Sequence, residues 1–112
     1  MLRCTVPAPK KTRRQKLEEF VANKPDDAFS RYGLALECMN SGDMAAADTQ
    51  FRLLLQRNSD YVPAYLMYGQ LLARESRTEE ARRVISRGIA AATEKGDGHA
   101  QSEMEALLRD LA

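Results

Sequence analysis

The stretch Ala64-Tyr65-Leu66-Met67-Tyr68-Gly69-Gln70-Leu71-Leu72, followed by Ser76-Arg77, Ala81 and Ile85, decides the fold. Its large apolar residues recur at three- and four-residue steps, the period of a helix face, and Gly69 is small where two helix axes can approach closely. The stretch has an earlier echo. Ala28-Phe29-Ser30-Arg31-Tyr32-Gly33-Leu34-Ala35-Leu36 matches its first half at a spacing of 36 residues. Gly42-Asp43 with Ala47 and Phe51 matches Ser76-Arg77 with Ala81 and Ile85 at a spacing of 34. Two copies of a unit of this length indicate stacked repeats. The two spacings leave the register of the first copy open.

Working outward, each unit reads as two helices. Thr12-Arg13-Arg14-Gln15 has the form of a capping box and opens a helix with Leu17, Phe20 and Val21 on one face. Pro25 stops it. Asp26 or Asp27 can cap a second helix to about Met39, ended by Asn40-Ser41-Gly42. Asp43 caps a third, to about Arg57. A fourth, from about Tyr61 to Glu75, admits Pro63 in its first turn. Thr78-Glu79-Glu80 opens a fifth with acids at the positive end of the helix dipole, and Gly96 closes it. A sixth lines up Ala100, Met104, Leu107, Leu108 and Leu111 on one stripe. No window alternates as a strand would, so the expected class is all-α with about six helices.

The composition sets further bounds. At 112 residues, one domain is the default. No apolar run is long enough to span a membrane. No secretory leader is expected at the N-terminus. Two cysteines, Cys4 and Cys38, cannot make a disulfide framework, and the cytoplasm is the expected compartment. Charge is uneven. Residues 1–16 hold six bases (Arg3, Lys10, Lys11, Arg13, Arg14, Lys16) and no acid, leaving 11 bases and 16 acids elsewhere, a net of −5. An acidic body argues against nucleic acid as the partner. Pro7 and Pro9 make residues 1–11 read as a disordered or extended basic arm.

The two units resemble tetratricopeptide repeats. Tyr65 stands in the first aromatic slot of that pattern, Tyr68-Gly69 in the Leu-Gly slot, Leu72 in the second aromatic slot, Ala81 in the small slot of the second helix and Ile85 in the later aromatic slot. Counted from Gly42-Asp43, Ala47 and Phe51 fit the first unit, as does Pro25 at the close of the unit before it. That count puts Leu34-Ala35 in the Leu-Gly slot and Arg31, a departure, in the first aromatic slot. Gly88 replaces a usual Ala, and Ser59 and Thr93 replace the closing Pro. The run Lys95-Gly96-Asp97-Gly98-His99-Ala100, with Ser102-Glu103-Met104, is similar to the end of short bacterial members of the family. The resemblance implies a right-handed antiparallel helical-hairpin solenoid. It divides 12–112 into a half repeat (12–27), a first repeat (28–61), a second repeat (62–95) and a C-terminal capping helix (96–112).

Catalysis finds little in the sequence. His99 is the single histidine and reads as a local cap or surface group, Cys38 as core, and three Cys and His residues are too few for a structural zinc. Paired acids such as Glu18-Glu19 and Glu79-Glu80 read as capping and solubility. Gly96-Asp97-Gly98 lacks the preceding strand and the following Lys-Ser/Thr of a phosphate loop. Neither an enzymatic function, a cofactor nor a metal is expected. The resemblance implies a protein or peptide partner bound in the concave groove lined by the first helix of each unit. The matching positions are Phe29, Tyr32, Leu36, Met39 and Asn40 in the first unit and Pro63, Leu66, Gln70, Ala73 and Arg74 in the second. Phe29, Tyr32 and Leu36 are equally readable as core. The chaperone-tail carboxylate clamp of one subclass is absent, because Tyr32, Leu36, Met67, Asp97 and Gln101 supply no cation. A homo-oligomer, or an electrostatic tether to nucleic acid or membrane through the arm, are the alternatives.

Overall fold

The computed structural model describes residues 10–111. These form six α-helices and, among the described residues, no strand: α1 (Arg13–Asn23), α2 (Ala28–Asn40), α3 (Met44–Arg57), α4 (Val62–Arg74), α5 (Thr78–Lys95) and α6 (Gly98–Asp110). The expected basic arm, apart from Lys10 and Lys11, lies outside the described residues.

Local chemistry explains the ends. Thr12 and Gln15 close a reciprocal capping box: the Gln15 amide donates to Thr12 Oγ1 at 3.1 Å and the Thr12 amide to Gln15 Oε1 at 2.8 Å. Asp43 and Asp97 each accept an amide three residues on at 3.1 Å, so two orphan donors are satisfied by side chains. Asp27 precedes α2 but does not cap it through its side chain; its carboxylate takes the Ser30 hydroxyl instead. Pro63 sits within the first turn of α4. Gly42 and Gly96 adopt φ of +85° and +72°, the left-handed turn that glycine allows at a helix end.

The true period is that of the second, shorter echo. The turn after α1 and the turn after α3 share their backbone geometry: Lys24 and Asn58 have φ, ψ of −133°, 73° and −137°, 75°. Each of their amides donates to the carbonyl four residues back. Helices α2 and α4 then start at Ala28 and Val62, one such period apart, and are equal in length. The longer echo is a coincidence of composition. The equivalent of Gly69 is Ala35, whereas Gly33 faces α1, where an added Cβ would rest 3.4 Å from Leu17 Cδ2.

Each first helix packs on its own second helix through a stripe at i, i+3, i+4 and i+7. In α2 the stripe is Arg31, Leu34, Ala35 and Cys38; in α4 it is Tyr65, Tyr68, Gly69 and Leu72, and all eight are buried. Phe51 of α3 stacks on Tyr68 of α4 with centroids 5.5 Å apart and ties the two hairpins together. Helix α6 covers the far end. Met104 is fully buried, and a Cβ on Gly88 would lie 2.5 Å from both Met104 Sδ and Tyr65 Cβ.

Arg31 departs from the repeat pattern and keeps its function. Its Nη2 donates to the Pro25 carbonyl at 3.1 Å, and one period further along the Tyr65 hydroxyl donates to the Ser59 carbonyl at 2.7 Å. Both side chains thus hold the same turn. A further bond, from Arg31 Nη1 to Gln50 Oε1 at 2.8 Å, satisfies the buried guanidinium. Burial, with Arg57 nearby, pushes its pKa down, and those acceptors offset that cost.

Two substitutions test this packing. Gly88→Ala gains helix propensity of about 1 kcal/mol, but Tyr65 Cβ is fixed to the backbone and cannot yield. Net destabilisation of about 1–3 kcal/mol in urea unfolding is expected. An unchanged or raised midpoint would contradict the close approach. Arg31→Ala is expected to cost about 1–3 kcal/mol by orphaning its acceptors, and Arg31→Tyr less, because the phenol can regain the bond to the turn. Equal losses for the two would contradict the equivalence with Tyr65.

Candidate functional site

Helices α2 and α4 point their stripes at α3 and α5, so the residues on the other side of each helix form one surface. Positions matched one period apart behave alike. Phe29 and Pro63 are exposed, Tyr32 and Leu66 are half-buried, and Asn40 and Arg74 differ little in setting, at the last turn of each helix. Leu36 is half-buried, and its equivalent Gln70 is exposed. Met39 does not share this surface: it is 6% exposed and belongs to the core cluster, with its equivalent Ala73 half-buried.

Of the three residues equally readable as core or groove, Phe29 faces outward, 75% exposed. Tyr32 and Leu36 divide between the two. The Tyr32 ring lies 5.3 Å from Tyr61 and 6.5 Å, edge-on, from Phe51, wedged where the first unit meets the second. Burial and the neighbouring Tyr61 phenol raise its pKa, so Tyr32 stays neutral at physiological pH. The surface therefore runs from an apolar end, Phe29 and Tyr32, over Leu36 and Leu66, to a polar end, Gln70 and Arg74.

Two further features escaped the sequence reading. Asp48 of α3 accepts from the Tyr68 hydroxyl at 2.5 Å and pairs with Arg52 at 2.8 Å and Arg77 at 3.4 Å. Arg77 in turn pairs with Glu80 at 2.7 Å and holds its carboxyl below the usual range. Asp48 looks like any surface acid on a helix; its distance along the chain from Tyr68 hid its role. The second feature is a cleft of about 450 Å³ between α1 and α2, lined among others by Arg13, Leu17, Phe20, Phe29, Gly33 and Leu36. Phe20 is 46% exposed there. Continuing the repeat step backward from α3 is the signal that could have found it.

The arrangement offers binding surfaces and little chemistry. Cys38 is buried, and burial pushes its thiol pKa up, away from the reactive thiolate. His99 is exposed beside Glu103. Among the described residues, no group of three or more His, Cys, Asp or Glu could hold a metal ion. No described helix is long and apolar enough to cross a membrane.

Comparison with known proteins places this geometry. The chain matches a TPR repeat-containing protein of Pseudomonas aeruginosa with 27% identity over 95 residues, 85% of this chain and 90% of that protein. The solution structure of a tetratricopeptide repeat domain protein from Salinibacter ruber aligns with a TM-score of 0.75 and 32% identity, covering 79% of this chain and 89% of the other. A crystal structure of that Salinibacter ruber domain protein aligns with a TM-score of 0.73 over 76% of this chain and 96% of the other, again at 32% identity. A protein of Bordetella parapertussis aligns with a TM-score of 0.77 and 25% identity, over 91% of this chain and 89% of its own. No protein-family model matches the chain.

Proposed function

The chain belongs to the tetratricopeptide repeat family, and from that premise we propose that it works without catalysis, by holding a partner protein or peptide across the surface shared by α2 and α4. The observation that carries this reading is Phe29, a large apolar side chain 75% exposed at one end of a surface whose other end is polar. An exposed aromatic joined to half-buried apolar neighbours suits the anchor of a binding patch, and a charged rim suits orientation and specificity.

In this reading Phe29, Tyr32, Leu36 and Leu66 receive apolar side chains of the partner, and Met39, in the core, takes no part. Gln70 offers both a donor and an acceptor to a partner's backbone, and Arg74 meets an acid at the rim. No cation stands where a carboxylate clamp would need one, so the partner is bound along its length rather than by a terminal carboxylate. The cytoplasm is the proposed compartment, in keeping with a buried, reduced Cys38.

The test uses calorimetry with a partner recovered on the immobilised full chain. Phe29→Glu should weaken binding by about 2 kcal/mol, because a carboxylate replaces a desolvated ring, while the melting temperature stays unchanged for so exposed a residue. Arg74→Ala, on α4, should cost under about 1 kcal/mol, an effect that fades as salt rises. Tyr32→Glu should lose both binding and stability, since its ring also packs against Tyr61 and Phe51. If Phe29→Glu and Arg74→Glu both leave affinity unchanged, the partner does not lie across α2 and α4.

A further inference from the structure

Among the described residues, helix α1 is a second helix without a first. It ends at Asn23 as α3 ends at Arg57, one period on, and both lead into a turn of the same backbone geometry. The same step places Arg13, Leu17 and Phe20 where α3 has Ala47, Phe51 and Leu54, and where α5 has Ala81, Ile85 and Gly88. In α3 and α5 those residues are buried, in hairpins completed by α2 and α4. In α1 the equivalents form one wall of the open cleft between α1 and α2, with Arg13 and Phe20 among its lining residues and Leu17 half-buried.

We propose that this cleft is a docking slot for an amphipathic α-helix of a partner protein, which takes the first-helix place that the described residues leave empty. The slot shares Phe29, Tyr32 and Leu36 with the α2–α4 surface, but it is walled by α1 instead of α4 and takes a helix rather than a segment laid across the groove. The two first helices present in the chain define the occupant. Each spans thirteen residues, about 20 Å, and meets its second helix through an i, i+3, i+4, i+7 stripe whose i+4 residue is small, Ala35 or Gly69. The occupant runs antiparallel to α1, as α2 runs to α3, so its C-terminal turn lies beside Arg13. That guanidinium pairs loosely with Glu37 at 3.6 Å, and its side chain is 82% exposed. It complements the free carbonyls and negative dipole of a helix C-terminus.

Residues 1–11 of this chain are an occupant that the titration below distinguishes. Helix α6 of a second copy also stands in a first-helix place, but exposed His99, Ser102 and Glu103 occupy the positions of Tyr65, Tyr68 and Gly69, so the side that would meet a second helix is polar.

The probe is a blocked peptide with the sequence of α4, residues 62–74, titrated into the isotope-labelled full chain. The expected result is saturable binding, helix gained by the peptide in circular dichroism, and amide shifts concentrated at Leu17, Phe20 and Gly33. Phe20→Glu should weaken it at least about tenfold and Phe20→Leu less than about threefold, with both variants melting as the parent does, because Phe20 is 46% exposed. Any of five results overturns the proposal. The peptide does not saturate, or its Leu66→Pro version binds as well. The shifts gather at Gln70 and Arg74, which would leave the α2–α4 surface intact as the site. Binding appears only after removal of residues 1–11, which would make the chain's own N-terminal segment the occupant. The chain forms a dimer that Phe20→Glu dissociates, which would make a second copy the occupant.

Discussion

A Cβ on Gly69 would overlap the side chain of Ile85, and the remaining architecture depends on that close approach. With no side chain between them, α4 and α5 come together closely enough for Tyr65, Tyr68 and Leu72 to close over the contact and lose their exposure to water. Ala35 allows the same approach of α2 to α3. Once both hairpins are closed this way, Phe51 is left facing Tyr68, and the rings stack between units. The step between units is then set by the length of two helices and two turns, and it repeats unchanged wherever both are complete.

Stacking buries one side of each hairpin against the next and leaves the outermost hairpins incomplete. The two ends of the described array meet that condition differently. At the C-terminal end α6 seals the last hairpin with Met104, and Gly88 leaves room for the thioether beside Tyr65. At the N-terminal end α1 covers α2 on one side only. It is fastened at its start by Arg14 to Asp43 at 2.9 Å, and the Ala46 amide and that guanidinium together hold the Asp43 carboxyl below its usual pKa. Phe20 and Phe29, the large apolar residues most exposed among those described, flank the cleft left open there. The same first helices that carry the buried stripes present their opposite side as the surface proposed for a partner, so α2 and α4 serve both the fold and the proposed recognition.

Much of this was legible in the residues. The capping box at Thr12, the cap at Asp43 and the glycine turns at Gly42 and Gly96 are local chemistry, written within four residues, and they stand as read. What depends on long-range packing was harder. The longer echo left the register open because Tyr-Gly occurs in both α2 and α4 by composition, whereas equivalence is decided by which residue meets the neighbouring helix. Arg31 looked like a defect in an aromatic slot, yet a guanidinium reaches the same turn carbonyl as a phenol. Met39 looked like groove because helical spacing gives a face only to within about a third of a turn. The open side of α1 was invisible because Leu17 and Phe20 read as ordinary core whether or not a helix covers them.

Native-state hydrogen exchange, read residue by residue, tests most directly whether the described array is covered by α6 beside α5 and left open along α1. Amides in α3, α4 and α5 should exchange only through global unfolding, and those of α6 should approach that limit. Amides of α1 should exchange by local opening, at least about tenfold faster than those of α3, since among the described residues no first helix buries the side that α2 buries in α3. Protection in α1 equal to that in α3 would contradict the account, because it would require the side bearing Leu17 and Phe20 to be covered already.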